Sequence, residues 1–132
     1  TIKYESLSKH YGEKEAIAAA LVISVQTVIN WRDSKKIPMP AQKRIAMISC
    51  FYFIQQKDFK DALQIAEILL KDKHDLIHKA VGWMIREIGN RDLKTELKFL
   101  DTHALNMSRT TLRYAIEHFP QQQRKAFLKG LV

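Results

Sequence analysis

The sequence has few of the residues that break helices or cross-link chains. Its 132 residues include one cysteine, three prolines and four glycines. A single cysteine, Cys50, excludes an internal disulfide and a multi-cysteine metal site, and it favours a reducing compartment. No apolar run approaches the roughly 18 residues of a membrane span. The polar stretch TIKYESLSKHYGEK at the start predicts no targeting signal. We therefore expect a cytoplasmic protein with no membrane partner.

Charge is unbalanced towards the basic side. The chain carries 22 Lys and Arg against 14 Asp and Glu, a net charge of +8. Residues 1–41 hold six basic against four acidic residues, and residues 42–132 hold sixteen against ten. Apolar residues make up 46% and charged residues 27%, which is typical of a globular chain. A basic balance of this size favours a polyanionic partner.

Almost every segment has the apolar period of a helix, and no alternating strand pattern is present. We predict an all-α fold of about nine helices. Gly89 is expected to end a helix in the left-handed conformation, and Ser108 and Asp58 are expected to cap helix N-termini. The predicted helices cover residues 3–11, 13–20, 25–33, 41–56, 58–71, 75–88, 92–103, 108–118 and 120–129.

The stretch DSKKIPMPAQ, residues 33–42, is the clearest linker. It divides the chain into residues 1–37, with short helices, and residues 38–132, with longer helices in pairs. Three pairs of about thirty residues predict three HEAT-like hairpins, a repeat in which one face commonly binds. The apolar run Leu21, Val22 and Ile23 favours one continuous core, although two separate units remain open.

Residues 1–40 resemble the helix-turn-helix of phage Cro-type repressors, through YGEKEAIAAALVISVQTVINWRDSKKIP. The resemblance implies a three-helix unit in which residues 25–33 read the major groove. Val22 stands where that motif has glycine, and a β-branched residue at positive φ is strained. The unit is therefore either a DNA reader or a packing cap. The candidate DNA contacts are Ser24, Gln26, Thr27, Asn30, Arg32, Lys35 and Lys36.

Residues 43–129 are similar to the C-terminal half of the DNA alkylation repair family, the HEAT-like alkylbase DNA glycosylases. HDLIHKAVGWMIRE is the most specific piece. The resemblance implies DNA contacts by Trp83, Arg86 and Arg44. Helical spacing places Lys79 on the face of Trp83 and Arg86 and sets Arg109 and Arg113 one turn apart. The alternative is that Trp83 is part of the core and the arginines are solvated.

The same resemblance implies a catalytic aspartate and a companion tryptophan before the position of Arg44. The helix-turn-helix-like segment occupies that part of the chain, and Tyr4 and Glu5 do not fit. Without a carboxylate, an oxocarbenium-like transition state loses its main electrostatic stabilisation. The sequence thus predicts an engineered or recombined chimera that binds duplex DNA weakly without catalysis. A scaffold without function and a weakly active glycosylase remnant are the alternatives.

No cofactor or metal is expected. His74 and His78 are four residues apart but lack a third ligand. Cys50, in the apolar stretch ISCFYFI, is expected to be buried. The sequence indicates nothing about the oligomeric state or a preferred DNA sequence.

Overall fold

The computed structural model describes residues 9, 25–34 and 37–130, without the side chains of residues 25, 28, 31 and 32. Its regular elements within these ranges are all helices, and no strand occurs there. The all-α prediction is confirmed. The helices are α1 (Val25–Ser34), α2 (Met39–Ser49), α3 (Phe51–Gln55), α4 (Lys60–Leu69), α5 (Asp75–Arg91), α6 (Leu93–His103), α7 (Arg109–Ala115) and α8 (Gln121–Leu128).

The predicted count of about nine helices is not matched, since eight are found in the described ranges. The helix predicted over 41–56 is two helices, α2 and α3. They are separated at Cys50, whose N–H donates to the Met47 carbonyl three residues back, at 3.2 Å. That i to i−3 bond tightens the turn and interrupts the helical ladder. The helices predicted over 3–11 and 13–20 lie outside the described residues.

Gly89 does not end a helix, contrary to the prediction. It lies inside α5, which continues to Arg91. The space beside Gly89 is filled by Glu96, because a Cβ built on Gly89 would lie 1.6 Å from Glu96 Oε2. The absence of a side chain therefore serves helix packing at this position and not termination.

The N-caps of the helices agree better with what the local sequence predicts than the helix ends do. The Ser108 hydroxyl accepts a hydrogen bond from Thr111 N at 3.0 Å and caps α7, as predicted. Asp92 caps α6 in the same way, through Thr95 N at 3.3 Å. Asp58 accepts from Lys60 N at 3.4 Å, one residue earlier than the N-cap position of α4, which Phe59 occupies.

The described chain divides into two compact units, Thr1–Ile45 and Ala46–Val132. In the first unit Ile37 and Ile45 are buried, and the Gln42 amide donates to the Ile37 carbonyl at 2.9 Å. The expectation that Leu21, Val22 and Ile23 belong to a shared core falls on residues that the structure does not describe. It stays a prediction, as does the division at residues 37 and 38.

Helix α5 is the centre of the second unit, with α3, α4, α6 and α7 packed around it. Its buried side chains include Met84, Ile85 and Ile88, none of which exposes any surface. Burying a side chain of this size stabilises the fold by about 1.5–3 kcal/mol. Helix α7 approaches most closely at Gly82, where a Cβ would lie 2.5 Å from the Thr111 carbonyl oxygen. Backbone therefore packs directly on backbone at this crossing.

Candidate nucleic-acid interface

Trp83 is partly exposed on α5, close to the middle of the second unit. Its indole Nε1 donates to Glu87 Oε1 at 3.1 Å, one turn along the same helix. Its ring centroid is 6.2 Å from that of Phe51, with the planes tilted by 33°. Trp83 is thus neither fully buried core nor a free surface ring. Its indole is fixed by the hydrogen bond from Nε1, and part of the side chain is exposed to solvent.

Glu87 has a second partner in Arg91. Arg91 Nη1 donates to Glu87 Oε2 and to the Glu87 carbonyl, each at 2.9 Å. The Arg91 guanidinium carbon also lies 5.5 Å from the centroid of the Phe51 ring. A cation over an aromatic face is attracted by the negative potential of the ring. Phe51, Trp83, Glu87 and Arg91 form one closed set of contacts, named here the Trp83 bracket.

Arg86 follows Trp83 by three residues, and its side chain is 22% exposed. It pairs through Nη1 with Glu117 Oε2, which lies just beyond the end of α7. Glu117 is 62% exposed, so the pair is open to solvent on its acidic side. Trp83 and Arg86, predicted as DNA contacts, therefore lie on one helix, each with its own carboxylate partner.

The other basic residues predicted in this part of the chain differ in their engagement. Lys79 Nζ is 3.1 Å from Asp75 Oδ2, one turn earlier on α5. Arg109 donates to the Leu128 carbonyl at the end of α8. Arg113 is exposed, and its guanidinium has no ion pair or hydrogen bond within residues 37–130. Arg113 lies in the last turn of α7, four positions before Glu117, the partner of Arg86.

Arg44 belongs to the first unit and is half-buried on α2. Burial lowers the pKa of its guanidinium below the ordinary value of an arginine. Its predicted membership of the same DNA-contacting face as Trp83 stays a prediction.

The helix-turn-helix candidates are described only in part. Gln26 and Asn30 are exposed on α1, and the Gln26 amide donates to Asn30 Oδ1 at 3.0 Å. Thr27 is half-buried on the same helix. Ser24, Lys35, Lys36 and the side chain of Arg32 lie outside the described residues, as does Val22. Gln26, Thr27 and Asn30 are thus the candidates on the predicted reading helix whose side chains the structure describes.

Glu96 was missed by sequence reasoning. It lies on α6 with no exposed surface, and neither carboxyl oxygen has a hydrogen-bond partner among the described residues. Removal from water raises its pKa from 4.5 to about 8, against the opposing effect of the Arg86 charge. His118 Nε2 lies 3.2 Å from Glu96 Oε2. The signal was in the sequence, because Glu96 has the i, i+3, i+4 spacing of an apolar face with Phe99 and Leu100.

His118 has its pKa lowered, first by burial and next by the Arg86 charge, while Glu87 and Glu117 oppose the change. A neutral imidazole therefore faces a neutral Glu96 carboxyl near neutral pH. The pair therefore carries no net charge that would offset the charge of Arg86, which acts on both groups.

The histidines considered for metal binding have other contacts. His74 Nδ1 lies 2.9 Å from Asp72 Oδ1, and His78 Nε2 contacts the Asp72 carbonyl. Among the described residues, no group of three or more His, Cys, Asp and Glu could hold a metal ion. Cys50 is buried, as predicted, and burial raises the pKa of its thiol. No described helix has the length and apolarity to cross a membrane.

The sequence model of the family described as DNA alkylation repair enzyme matches residues 13–119. It begins about thirty residues before the predicted resemblance and takes in most of the segment likened to Cro-type repressors. The match gives no support to a Cro-type component or to a chimera. No curated protein and no solved structure matches the chain.

Proposed function

The chain belongs to the DNA alkylation repair enzyme family, and from that premise we propose that it binds duplex DNA, largely without sequence preference, through α5 and α7. The observation that carries the proposal is the pair Trp83 and Arg86, partly exposed three residues apart on α5. An arginine supplies a phosphate contact and an indole supplies a flat surface for a base or sugar. The net charge of +8 favours the same partner.

The basic residues near this pair contribute unequally in our proposal. Arg113 is exposed and has no partner within residues 37–130, so it meets a phosphate at no cost of a broken contact. Arg86 gives up or shares Glu117 when it binds a phosphate. Arg91 is held by Glu87 and Phe51 and is assigned a structural role. Arg86 and Arg113 are therefore expected to be stronger phosphate contacts than Arg91.

A salt series of DNA binding tests the proposal. Nonspecific binding of this kind has a Kd of roughly 10⁻⁴–10⁻⁶ M at physiological salt, and each phosphate contact adds about one to the slope of log K against log salt. Arg86→Ala and Arg113→Ala should each lower the slope by about one for every duplex. Lys98→Ala removes an exposed cation from α6 and is the matched control, with an unchanged slope.

The same assay distinguishes whether α1 reads DNA bases or only packs against the fold. If Gln26 and Asn30 read bases, Gln26→Ala and Asn30→Ala weaken binding to one preferred sequence only. If α1 only packs, both variants bind every duplex as the parent does. Binding that is undetectable at low salt would leave only the scaffold alternative.

We further propose that the chain does not excise alkylated bases. The carboxylates beside the Trp83 and Arg86 pair, Glu87 and Glu117, are each bound to another side chain. A carboxylate so engaged is poorly placed to stabilise a cationic sugar. Release of N3- or N7-methylated purines should equal the spontaneous rate. Release above that rate, abolished by Trp83→Ala, would show that the chain is a glycosylase.

A further inference from the structure

The Trp83 bracket fixes an indole that the structure otherwise leaves partly open. Glu87 is 19% exposed and accepts from Trp83 Nε1 through one oxygen and from Arg91 through the other. Arg91 is 24% exposed and covers Phe51. Both carboxylate oxygens of Glu87 and the indole N–H of Trp83 thereby have a hydrogen-bond partner inside the bracket. The carboxylate of Glu87 is the one group that bonds two other members directly.

This arrangement limits what each side chain can do with a ligand. The indole N–H of Trp83 already has an acceptor, so the ring offers only its face. The face of Phe51 is partly covered by the Arg91 guanidinium. Arg91 itself donates to Glu87 at two atoms. Trp83 therefore has its N–H engaged while part of its ring surface stays exposed, and that surface is what it can offer to a nucleobase.

We infer that Glu87 is a positioning residue, which holds the Trp83 indole in the orientation that stacks on an unpaired nucleobase. The inference rests on the proposed DNA binding and deepens it. A base can stack on an aromatic side chain only where it has left its own neighbours, so the ligand is single-stranded or locally opened DNA. A ring free to rotate loses conformational freedom on stacking, whereas a ring held by a carboxylate has lost it in folding.

Glu117 provides the contrast on the same surface. It is the carboxylate partner of Arg86 and is 62% exposed, whereas the indole N–H of Trp83 donates to Glu87. Its removal leaves the indole where it is and frees the Arg86 charge for a phosphate. Each carboxylate holds an arginine, so the quenching of Trp83 is the observable that is expected to depend on Glu87 and not on Glu117.

The experiment uses Trp31→Phe as the parent, which leaves Trp83 as the one tryptophan of the 132-residue chain. Quenching of its fluorescence by a single-stranded oligonucleotide reports stacking, and the salt slope with duplex reports phosphate contacts. Glu87→Ala should lower single-stranded affinity roughly 3- to 10-fold and reduce the quenching. Because it also frees Arg91 from its carboxylate, its salt slope with duplex should stay the same or rise, so a loss of single-stranded affinity reports stacking and not a lost phosphate contact. Glu87→Gln keeps an acceptor for Trp83 and should fall between the parent and Glu87→Ala.

Glu117→Gln is the matched control. It should raise the salt slope by up to about one and tighten duplex binding, with unchanged quenching. Denaturant unfolding of each variant measures folding separately. If Glu87→Ala does not fold, the folded Glu87→Gln variant decides the outcome by its own quenching and affinity.

Three results have distinct meanings. Parent-like quenching and single-stranded affinity in folded Glu87 variants would overturn the positioning role and leave the proposed DNA binding intact. Salt-dependent duplex binding without quenching by any DNA would likewise overturn the inference alone. No binding of any DNA by the parent at low salt would overturn the proposed function and the inference with it.

Discussion

The buried carboxyl of Glu96 should make the chain less stable as pH rises through neutrality. The folded state holds its proton up to a pKa of about 8, whereas the unfolded chain releases it near 4.5. Between these values folding requires proton uptake, so the contribution of Glu96 is fully favourable below pH 4.5 and is lost as pH approaches 8. The slope approaches about 1.4 kcal/mol per pH unit for one proton. Between pH 5 and pH 8 the loss is on the order of 3 kcal/mol.

Glu96→Gln removes this titration and keeps the shape of the side chain. At pH 5 the variant should resemble the parent, or be about 1 kcal/mol less stable, because a buried amide also lacks partners. At pH 8 it should be more stable than the parent by roughly 2–3 kcal/mol. Urea unfolding at several pH values measures the difference, and Glu67→Gln, exposed on α4, is the control that should leave the curve unchanged.

His118 contributes with the opposite sign. Its lowered pKa means that the folded state resists protonation, so its contribution is lost as pH falls below the ordinary 6.5. Two results together would refute the reasoning. The unmodified chain would lose no stability above pH 6.5, and Glu96→Gln would be destabilised by the same amount at every pH. Those results would mean that Glu96 is ionised and paired with His118 across the 3.2 Å that separates them.

Two further predictions concern packing and capping. Gly82→Ala should destabilise the fold by about 1–3 kcal/mol in urea unfolding, because its Cβ meets the Thr111 carbonyl at 2.5 Å and neither backbone can yield cheaply; an unchanged midpoint would mean that α7 shifts freely. Ser108→Ala should cost about 1 kcal/mol through the lost cap of α7, and Ser108→Asp should restore it; equal losses in both variants would show that the hydroxyl contributes by another contact.

Local patterns predicted much of the fold, and contacts between distant residues account for what was missed. The spacing of apolar residues located α5, and a serine before an apolar segment located the start of α7, because both signals act within a few residues. Gly89 was misjudged because its role depends on Glu96, which belongs to the next helix. A glycine that ends a helix and one that admits a neighbouring side chain look alike in sequence.

In the candidate interface too, local spacing was predictable from the sequence and contacts between distant residues were not. Helical spacing alone brought Trp83 and Arg86 to one face, and the structure places them there. The Arg86 and Glu117 pair joins residues 31 positions apart, so no local pattern could indicate it. The Trp83 bracket depends on Phe51 reaching across from α3, which the prediction of one helix over 41–56 did not anticipate.

The corner between α5 and α6 sets a limit on changes in chain length. A single residue, Asp92, ends one helix through its N–H to the Ile88 carbonyl at 2.8 Å and starts the next through its carboxylate. With 3.6 residues per turn, one residue inserted there would turn α6 by about 100° about its own axis. Phe99 and Leu100 would then leave the core, and Glu96 would leave its place against Gly89. Insertions and deletions at this corner are therefore excluded, while the Lys57 turn between α3 and α4, exposed and already at φ 60°, is a place where added residues cost little.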